Sequence, residues 1–274
     1  MSWKTFLGHS KKDLSFSMGK IMGNFLLAID IGNTAVKTGL CKSGAIFNCK
    51  TSKINDVPKY INKFIKSGKY NHLDVLICSV DPKKTSYIKK SMVCHNNAKL
   101  WVLGSNIDLK IRHNYKEYNK LGMDRKVGCY GALKMYKMPL LIISYGTAIT
   151  CDYLDRTGTF QGGLIIPGPA IALKALSKSA SLLPTIHFPR KKPGFLGRDT
   201  KKCMEYGILE GYGSMADELA RRFKIRYDKK IRVLATGGLS KTIAPHSASI
   251  DILDPFHTLK SLALIWREKI QQFP

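Results

Sequence analysis

The sequence predicts an α/β fold made of two similar halves. A glycine-threonine turn occurs twice, each time directly after a short apolar run. Asp30-Ile31-Gly32-Asn33-Thr34 follows the run 25–29, and Gly146-Thr147-Ala148-Ile149-Thr150 follows the run 140–143. Each turn is followed by two further apolar segments and then by helical patterns. With 274 residues, 44% hydrophobic and 23% charged, the chain can bury a sizeable core as one large domain or two smaller ones.

The first half is predicted to begin with three strands joined by tight turns. An apolar run starts at Phe25, and Lys42-Ser43-Gly44 marks the second turn. A short amphipathic helix starts at Pro58, and a buried strand ends at Ser79 before a proline. The predicted strands are 25–30, 35–41, 45–51, 73–79 and 101–103, and the predicted helices are 58–66, 84–93 and 124–137.

The second half repeats the order of the first. The predicted strands are 140–144, 149–154, 159–166 and 231–235, and the predicted helices are 169–180, 201–224 and 256–271. Three strands followed by alternating helices and strands is the order of a ribonuclease-H-like half, and the repetition indicates internal duplication. We therefore expect one domain at 25–138 and a second at 139–274.

Residues 1–24 are polar and basic and show no periodicity. We expect a disordered extension there, and Met22 would serve as the start of a compact fold. The segment lacks the apolar core of a secretory signal.

Cysteine usage and hydropathy indicate a cytoplasmic protein. The seven cysteines are scattered, no C-x-x-C is present, and the histidines do not have zinc-site spacing. No apolar run approaches the ~20 residues of a membrane span, so no membrane partner is expected.

The net charge of +26 suggests an anionic partner. The positive residues are mostly lysines spread over the whole chain, without an arginine-rich tract. We interpret them as decoration of solvent-exposed faces, with polyanion binding as the alternative, and we do not expect a nucleic-acid partner. The positive field would favour the approach of an anion such as ATP.

The two glycine-threonine turns have the chemistry of phosphate loops. Backbone N–H groups and threonine hydroxyls can hold phosphate oxygens where a small residue lets the backbone come close. Two such turns in two similar halves predict one nucleotide in a cleft between them.

Leu121-Gly122-Met123-Asp124-Arg125 precedes the helix 124–137. Asp124 has a plain structural interpretation as a helix cap, worth ~1 kcal/mol. The neighbouring arginine also suits a carboxylate base beside a cation that binds an anionic substrate. The spacing alone leaves both interpretations open.

Two further glycine motifs also allow two interpretations. Gly162-Gly163 is typical of a bulge and Pro167 of a helix start, while in a cleft the glycines would expose the backbone to a ligand. Thr236-Gly237-Gly238 is either a plain strand-to-helix turn or a flat surface for adenine or ribose.

These motifs together resemble the type III pantothenate kinases, from about Phe25 to near the C-terminus. The motifs stand in the family's order: Asp30–Thr34, Gly122–Arg125, Gly146–Thr150, Gly162–Gly168 and Thr236–Gly238. Lesser matches are Ser79–Pro82, Leu183-Pro184, Gly197–Thr200 and Asp254–Thr258.

The resemblance implies the acetate kinase/Hsp70/actin type of fold, with two ribonuclease-H-like halves around a nucleotide cleft. It implies transfer of the ATP γ-phosphate to pantothenate in the first step of coenzyme A biosynthesis. It also implies a homodimer, a divalent metal such as Mg²⁺, and a monovalent cation, K⁺ or NH₄⁺.

The resemblance assigns roles to individual residues. Asp124 would be the general base, and Asp30 would organise metal and phosphates, with Ser144 beside it at the metal. The implied ATP-binding residues are Asp30, Gly32, Asn33, Thr34, Lys37, Gly146, Thr147, Thr150, Gly237 and Gly238. The implied pantothenate-binding residues are Tyr115, Gly122, Met123, Asp124, Arg125, Gly163 and Ala180.

The chain departs from the family pattern at three places. Ser144 stands where the family has an aspartate, and a serine hydroxyl cannot offset the charge of a divalent metal. Ala180 replaces a usual threonine, and Glu117-Tyr118 replace an expected Asn-Pro. Either Asp30 and Asp124 suffice for a working kinase, which we favour, or the chain is an impaired homologue that binds nucleotide in a regulatory role.

Overall fold

The computed structural model describes residues 21–42, 44–66, 70–92, 98–189 and 194–271. Within these ranges ten strands form two five-stranded mixed sheets. The strands of the first sheet are β1 (Ile21–Ile31), β2 (Val36–Lys42), β3 (Ala45–Ser52), β4 (Tyr70–Ser79) and β5 (Ala98–Val102). Their order is β3-β2-β1-β4-β5, with β1 antiparallel to β2 and parallel to β4.

The second sheet has the same plan. Its strands are β6 (Leu140–Tyr145), β7 (Ala148–Leu154), β8 (Phe160–Pro167), β9 (Arg232–Thr236) and β10 (Ile252–Leu253). Their order is β10-β9-β6-β7-β8, so β6 has the place that β1 has in the first sheet. It runs antiparallel to β7 and parallel to β9. The two glycine-threonine turns, Asp30–Thr34 and Gly146–Thr150, lie at the ends of β1 and β6, the central strands of their sheets. We call them the first and second phosphate turn after their predicted role.

The helices are α1 (Val57–Lys66), α2 (Pro82–Met92), α3 (Met123–Met135), α4 (Pro169–Ser179), α5 (Thr200–Arg226), α6 (Ser240–Ile243) and α7 (His257–Lys269). Among the described residues, no helix has both the length and the apolar character needed to cross a membrane.

The predicted elements agree with the structure to within a few residues, except at the first strand. β1 begins at Ile21 because residues 21–24 already pair with β4, as Ile21 with Tyr70 and Asn24 with His72. The predicted disordered extension is therefore wrong for 21–24, and its remainder, 1–20, lies outside the described residues. The short elements α6 and β10 were not predicted, since four residues and two residues carry no readable period.

The hydrophobic core has three layers. The outer face of the first sheet packs on α1 and α2, through residues such as Ile29 and Ile61. The outer face of the second sheet packs on α5, through Ile143 and Leu209 among others. Between the sheets, one continuous cluster joins side chains of both inner faces to α3 and α7.

Helix α7 ends the described chain but packs on the first sheet, against β1, β2, β3 and β4 as well as α3. It follows the strands of the second sheet in sequence, so the chain crosses back to its first half at its end. The boundary between residues 138 and 139 stays a prediction, and this packing places the last helix of 139–274 on the first sheet.

The buried carboxylate of Asp74 holds α7 in place. Asp74 is 5% exposed and lies on β4. Its Oδ1 accepts a hydrogen bond from Trp101 Nε1 at 2.9 Å, and its Oδ2 accepts one from Trp266 Nε1 of α7 at 2.7 Å. Charge-assisted bonds of this kind are stronger than neutral ones, and each leaves a buried N–H unsatisfied when it is lost.

We predict that Asp74→Ala lowers the free energy of unfolding by about 2–4 kcal/mol, because two indole N–H groups lose their acceptor. Denaturant unfolding followed by tryptophan fluorescence measures the change. Asp108→Ala is the matched control, since the Asp108 side chain is 72% exposed. Equal loss in the two variants would contradict the anchoring role.

Candidate active site

The first phosphate turn is closed by its own backbone and braced by a lysine. Gly32 N donates to Ala35 O at 3.1 Å, which makes a tight turn between β1 and β2. On the other side, Lys84 Nζ donates to Gly32 O at 3.0 Å and to Asn33 O at 2.6 Å. Lys84 was not among the predicted site residues, although it lies just after the motif Ser79–Pro82.

The second phosphate turn has a similar backbone. Gly146 N lies 3.2 Å from both Ser144 O and Ala148 O. Thr147 O accepts a hydrogen bond from Gly168 N, the residue that precedes α4. A side chain at Gly168 would begin 2.2 Å from Thr147 O, so only glycine fits there. This close approach places the N-terminus of α4 beside the turn.

The two turns meet. Thr34 Oγ1 and Thr147 Oγ1 lie 2.8 Å apart, within hydrogen-bonding distance, although the residues are 113 positions apart in sequence. The motifs that predicted a shared cleft therefore line the same space.

The third glycine turn lies next to the second. Gly237 has φ +94°, and a Cβ there would lie 2.5 Å from Tyr145 O. Gly237 therefore packs directly on the end of β6. Gly238, in contrast, has no other atom within 4 Å of the place its Cβ would take, so the space beside it is open.

Asp30 is half-buried near the end of β1, opposite Lys37 of β2 in the strand register. Burial raises the pKa of Asp30 to about 6; the positive charge of Lys37 opposes the shift and the negative charge of Asp124 adds to it. Asp30 and Asp124 are thus close enough to repel each other across the cleft.

Asp124 lies in the first turn of α3, which Gly122 precedes. Its Oδ1 accepts a hydrogen bond from the backbone N–H of Arg125 at 2.9 Å. Burial within the walls of the cleft raises the pKa of Asp124, while that backbone bond and the Arg125 charge oppose the shift. Its side chain nevertheless remains accessible to solvent. An accessible carboxylate with a raised pKa suits a general base.

Arg125 has a partner that was not predicted from the sequence. Its Nε and Nη2 both donate to Asp152 Oδ1, at 2.8 and 2.5 Å, and both residues are more than 90% buried. Asp152 lies on β7, two residues after Thr150 and therefore on the same face of the strand. The spacing Thr150-x-Asp152 was the only sequence signal for this pair.

Aromatic rings surround the Arg125 guanidinium. Its carbon lies 5.9 Å from the centre of the Tyr115 ring and 5.7 Å from that of Phe160. A Cβ at Gly163 would lie 3.1 Å from Arg125 Nη2. The structure therefore brings Tyr115, Arg125 and Gly163 together, three of the predicted acceptor-site residues. The Met123 methyl group packs against Gly104 instead.

Ser144 lies in a row of hydroxyl side chains. It is paired in register with Thr150 of β7 and with Thr236 of β9, so the three residues share one face of the sheet. Thr236 Oγ1 is buried and has no hydrogen-bond partner among the described residues. Where the resemblance implies a carboxylate, this chain has uncharged hydroxyls.

Ala180 is farther away. It follows the last turn of α4, and its N–H donates to Leu176 O. Gly168 lies at the other end of this 11-residue helix, about 18 Å away at 1.5 Å per residue. Ala180 is thus separated from the second phosphate turn by the length of α4.

Comparison with known proteins agrees with this geometry. The sequence model of the type III pantothenate kinase family matches residues 26–222. A type III pantothenate kinase of Pelobacter propionicus is 33% identical over 252 residues, covering 88% of this chain and 98% of the relative. One of Halalkalibacterium halodurans is 30% identical over 254 residues, covering 89% and 100%.

The fold is also found in a solved structure of low sequence similarity. The ethanolamine utilization protein EutJ from Carboxydothermus hydrogenoformans superposes with a TM-score of 0.51 at 8% identity, covering 90% of this chain and 91% of that protein. The predicted fold of two ribonuclease-H-like halves, of the acetate kinase/Hsp70/actin type, is confirmed. The family match covers most of the chain, and the chain belongs to the type III pantothenate kinase family.

Proposed function

We propose that this protein phosphorylates pantothenate with ATP to give 4′-phosphopantothenate, the first step of coenzyme A biosynthesis. The observation that carries the proposal is the meeting of the two phosphate turns at Thr34 and Thr147 in a chain of this family, with Asp30 and Asp124 beside them.

The triphosphate would lie between the two turns. The N–H groups and hydroxyls of Asn33, Thr34 and Thr147 would hold its oxygens, with Gly32 and Gly146 allowing the close approach. Thr150 and Lys37 lie on the strands that leave the two turns. The open space at Gly238, next to Gly237, would receive the nucleoside.

Asp124 would take the proton from the pantothenate hydroxyl as that oxygen attacks the γ-phosphorus and the bond to ADP breaks. Phosphoryl transfer depends mainly on positioning and on charge stabilisation, so one well-placed base is sufficient. The raised pKa of Asp124 favours proton transfer near neutral pH.

Pantothenate would be held near Arg125. The bonds to Asp152 use Nε and Nη2 of the guanidinium, which leaves Nη1 for the substrate carboxylate. Tyr115 and Gly163 would form the wall of this subsite, with Gly122 and Met123 at the helix start. Asp152 would therefore be a positioning residue for Arg125.

The residues present fit a magnesium ion. Mg²⁺ is usually bound by one or two carboxylates, by phosphate oxygens and by retained water. Asp30 would supply the carboxylate, a cation there would relieve its repulsion with Asp124, and Ser144 would support a water ligand. Within the described residues, no group of three or more acidic, cysteine or histidine side chains is arranged to hold a metal ion by itself. The ion would stabilise charge on the transferred phosphoryl group.

Family membership is the only support for two further proposals. A monovalent cation, K⁺ or NH₄⁺, would be needed for full activity, and the protein would act in the cytoplasm.

We predict that the purified protein converts pantothenate to phosphopantothenate with ATP, Mg²⁺ and K⁺. Asp124→Asn is expected to lower kcat by at least about a hundredfold, because it removes the base, while ATP affinity changes little. A coupled ADP-release assay with and without pantothenate measures this. Asp108→Asn, an exposed carboxylate, is the control.

ATP binding without turnover in the parent protein would defeat this proposal. It would support the alternative of an impaired homologue, in which Ser144 in place of an aspartate accounts for the lost activity.

We predict that Asp30→Asn abolishes activity but stabilises the ligand-free protein above pH 7. The folded-state pKa of Asp30, about 6, is higher than its ordinary value of 3.8, so folding disfavours the ionised form at neutral pH. The gain in melting temperature should be constant above about pH 7 and shrink between pH 6 and pH 4. A gain independent of pH would contradict the assigned pKa.

We also propose a homodimer formed through β8 and α4. β8 is the edge strand of the second sheet. Large apolar side chains on these two elements are exposed, including Leu164, Ile165 and Ile171. Only the start of β8 is paired on its outer side, where Phe160 bonds with the segment 112–114. An apolar surface along the rest of a sheet edge is typical of an interface with another chain.

Light scattering after gel filtration should give twice the mass of one chain. Ile165 is 67% exposed in the single chain and would be buried in the proposed interface. Ile165→Lys would bury a charge there and should shift the protein toward monomer. Tyr87→Lys, at a 45% exposed residue of α2, is the control. Retention of the dimer by Ile165→Lys would place the interface elsewhere.

A further inference from the structure

Lys84 occupies an unusual position for a lysine. It lies in the first turn of α2 with its side chain only 23% exposed. Burying an ammonium group is costly unless its protons find acceptors. The surrounding oxygens must therefore be arranged to receive it.

Three oxygen atoms surround the Lys84 ammonium. They are Asn33 O at 2.6 Å, Gly32 O at 3.0 Å and Asp81 Oδ2 at 3.2 Å. An ammonium group carries three donor hydrogens, so these contacts can satisfy all of them. The backbone N–H of Lys84 also donates to Asp81 Oδ1 at 3.1 Å, which fixes the carboxylate. That bond contributes most to lowering the pKa of Asp81 and keeps it ionised.

The geometry of the peptide bond turns these contacts into a constraint on the phosphate turn. In a planar trans peptide the C=O and the following N–H point in opposite directions. Lys84 draws the carbonyls of Gly32 and Asn33 to one side. The N–H groups of Asn33 and Thr34, in the same two peptide units, must therefore point to the other side.

Those two N–H groups are free to bind a ligand. Within the described part of the chain neither has a recorded acceptor, and both residues are exposed. The side chain of Thr34 reaches Thr147 of the second turn. Successive N–H groups that point the same way form an anion-binding concavity.

We propose that Lys84 is a positioning residue for the ATP triphosphate, which orients the N–H groups of Asn33 and Thr34 by holding the carbonyls behind them. The proposal rests on the proposed function in that it assigns the first turn to the phosphates of ATP. A purely structural role would be different: Lys84 would then only fasten α2 to β1, and its loss would affect every ligand or none.

The test compares Lys84→Met with the parent protein in equilibrium binding of the non-hydrolysable analogue AMP-PNP with Mg²⁺ and of adenosine. We expect roughly tenfold weaker AMP-PNP binding, since charge-assisted orientation of two donors is lost, and unchanged adenosine binding. Lys84→Arg, which keeps a cation, should recover part of the affinity. Lys83→Met, at the exposed neighbouring position, should behave as the parent.

In the kinase assay the KM for ATP should rise in Lys84→Met while the KM for pantothenate stays constant. Undiminished AMP-PNP affinity in Lys84→Met, or an equal loss of adenosine binding, would overturn the proposal. Absence of AMP-PNP binding in the parent would also overturn it. Because the binding measurement needs no turnover, a parent that binds AMP-PNP but makes no phosphopantothenate would defeat only the proposed function.

Discussion

The contact between Thr34 and Thr147 depends on how firmly the two sheets are held at a fixed separation. An exposed hydroxyl–hydroxyl hydrogen bond contributes only about 1 kcal/mol net and cannot hold two halves of a protein together. The continuous cluster between the sheets does this, because its side chains come from both inner faces and from α3 and α7.

Helix α7 has a particular part in this arrangement. It follows the second sheet in sequence and packs on the first, so the chain itself prevents the halves from separating freely. Asp74 fastens α7 through the indole of Trp266, which is fully buried. The cleft at the ends of β1 and β6 is thus built on a shared core, and the meeting of its two turns is a consequence of that core.

The electrostatics of the cleft explain why the substitution at position 144 matters. Asp30 and Asp124 already repel each other, and the cation of Lys37 only partly offsets the effect of burial on Asp30. A third carboxylate at 144 would add repulsion in the ligand-free protein and a ligand for a metal when one is bound. Ser144, in a row with Thr150 and Thr236, removes both effects. In the proposed site, neutralisation of a bound cation would therefore depend more heavily on Asp30.

Much of the fold could be predicted because the strands of each half are short apolar runs that end at glycine turns. The two phosphate turns were predicted in the same way, because each places glycine and threonine directly after a buried strand. The position of α7 could not be predicted, because an amphipathic pattern shows that a helix has a buried face but not which sheet covers it.

The hydrogen-bond partners of individual charged groups also could not be predicted from the sequence. Asp152 and Arg125 are 27 residues apart, and Lys84 lies more than 50 residues from the turn that it braces. Only the folded sheets bring them together. The sequence did indicate Arg125 as a candidate, but it could not show that the buried Asp152 already occupies the Nε/Nη2 edge of its guanidinium.

The positively charged residues of the chain differ in whether they are paired with an acidic side chain. Arginine binds phosphates through its planar donors, and lysine binds them as a point charge. Several arginines are already paired with acids: Arg125 with Asp152, Arg156 with Asp228, and Arg221 and Arg222 with Glu218.

The excess of 26 positive charges is therefore carried largely by lysines. Their diffuse field favours the approach of anions. Lys84 differs from the others because its charge is directed to backbone carbonyls, where it shapes a binding turn instead of contributing to the surface field. In a lysine-rich chain, composition cannot single out Lys84, and only its hydrogen-bond acceptors in the folded structure indicate its role.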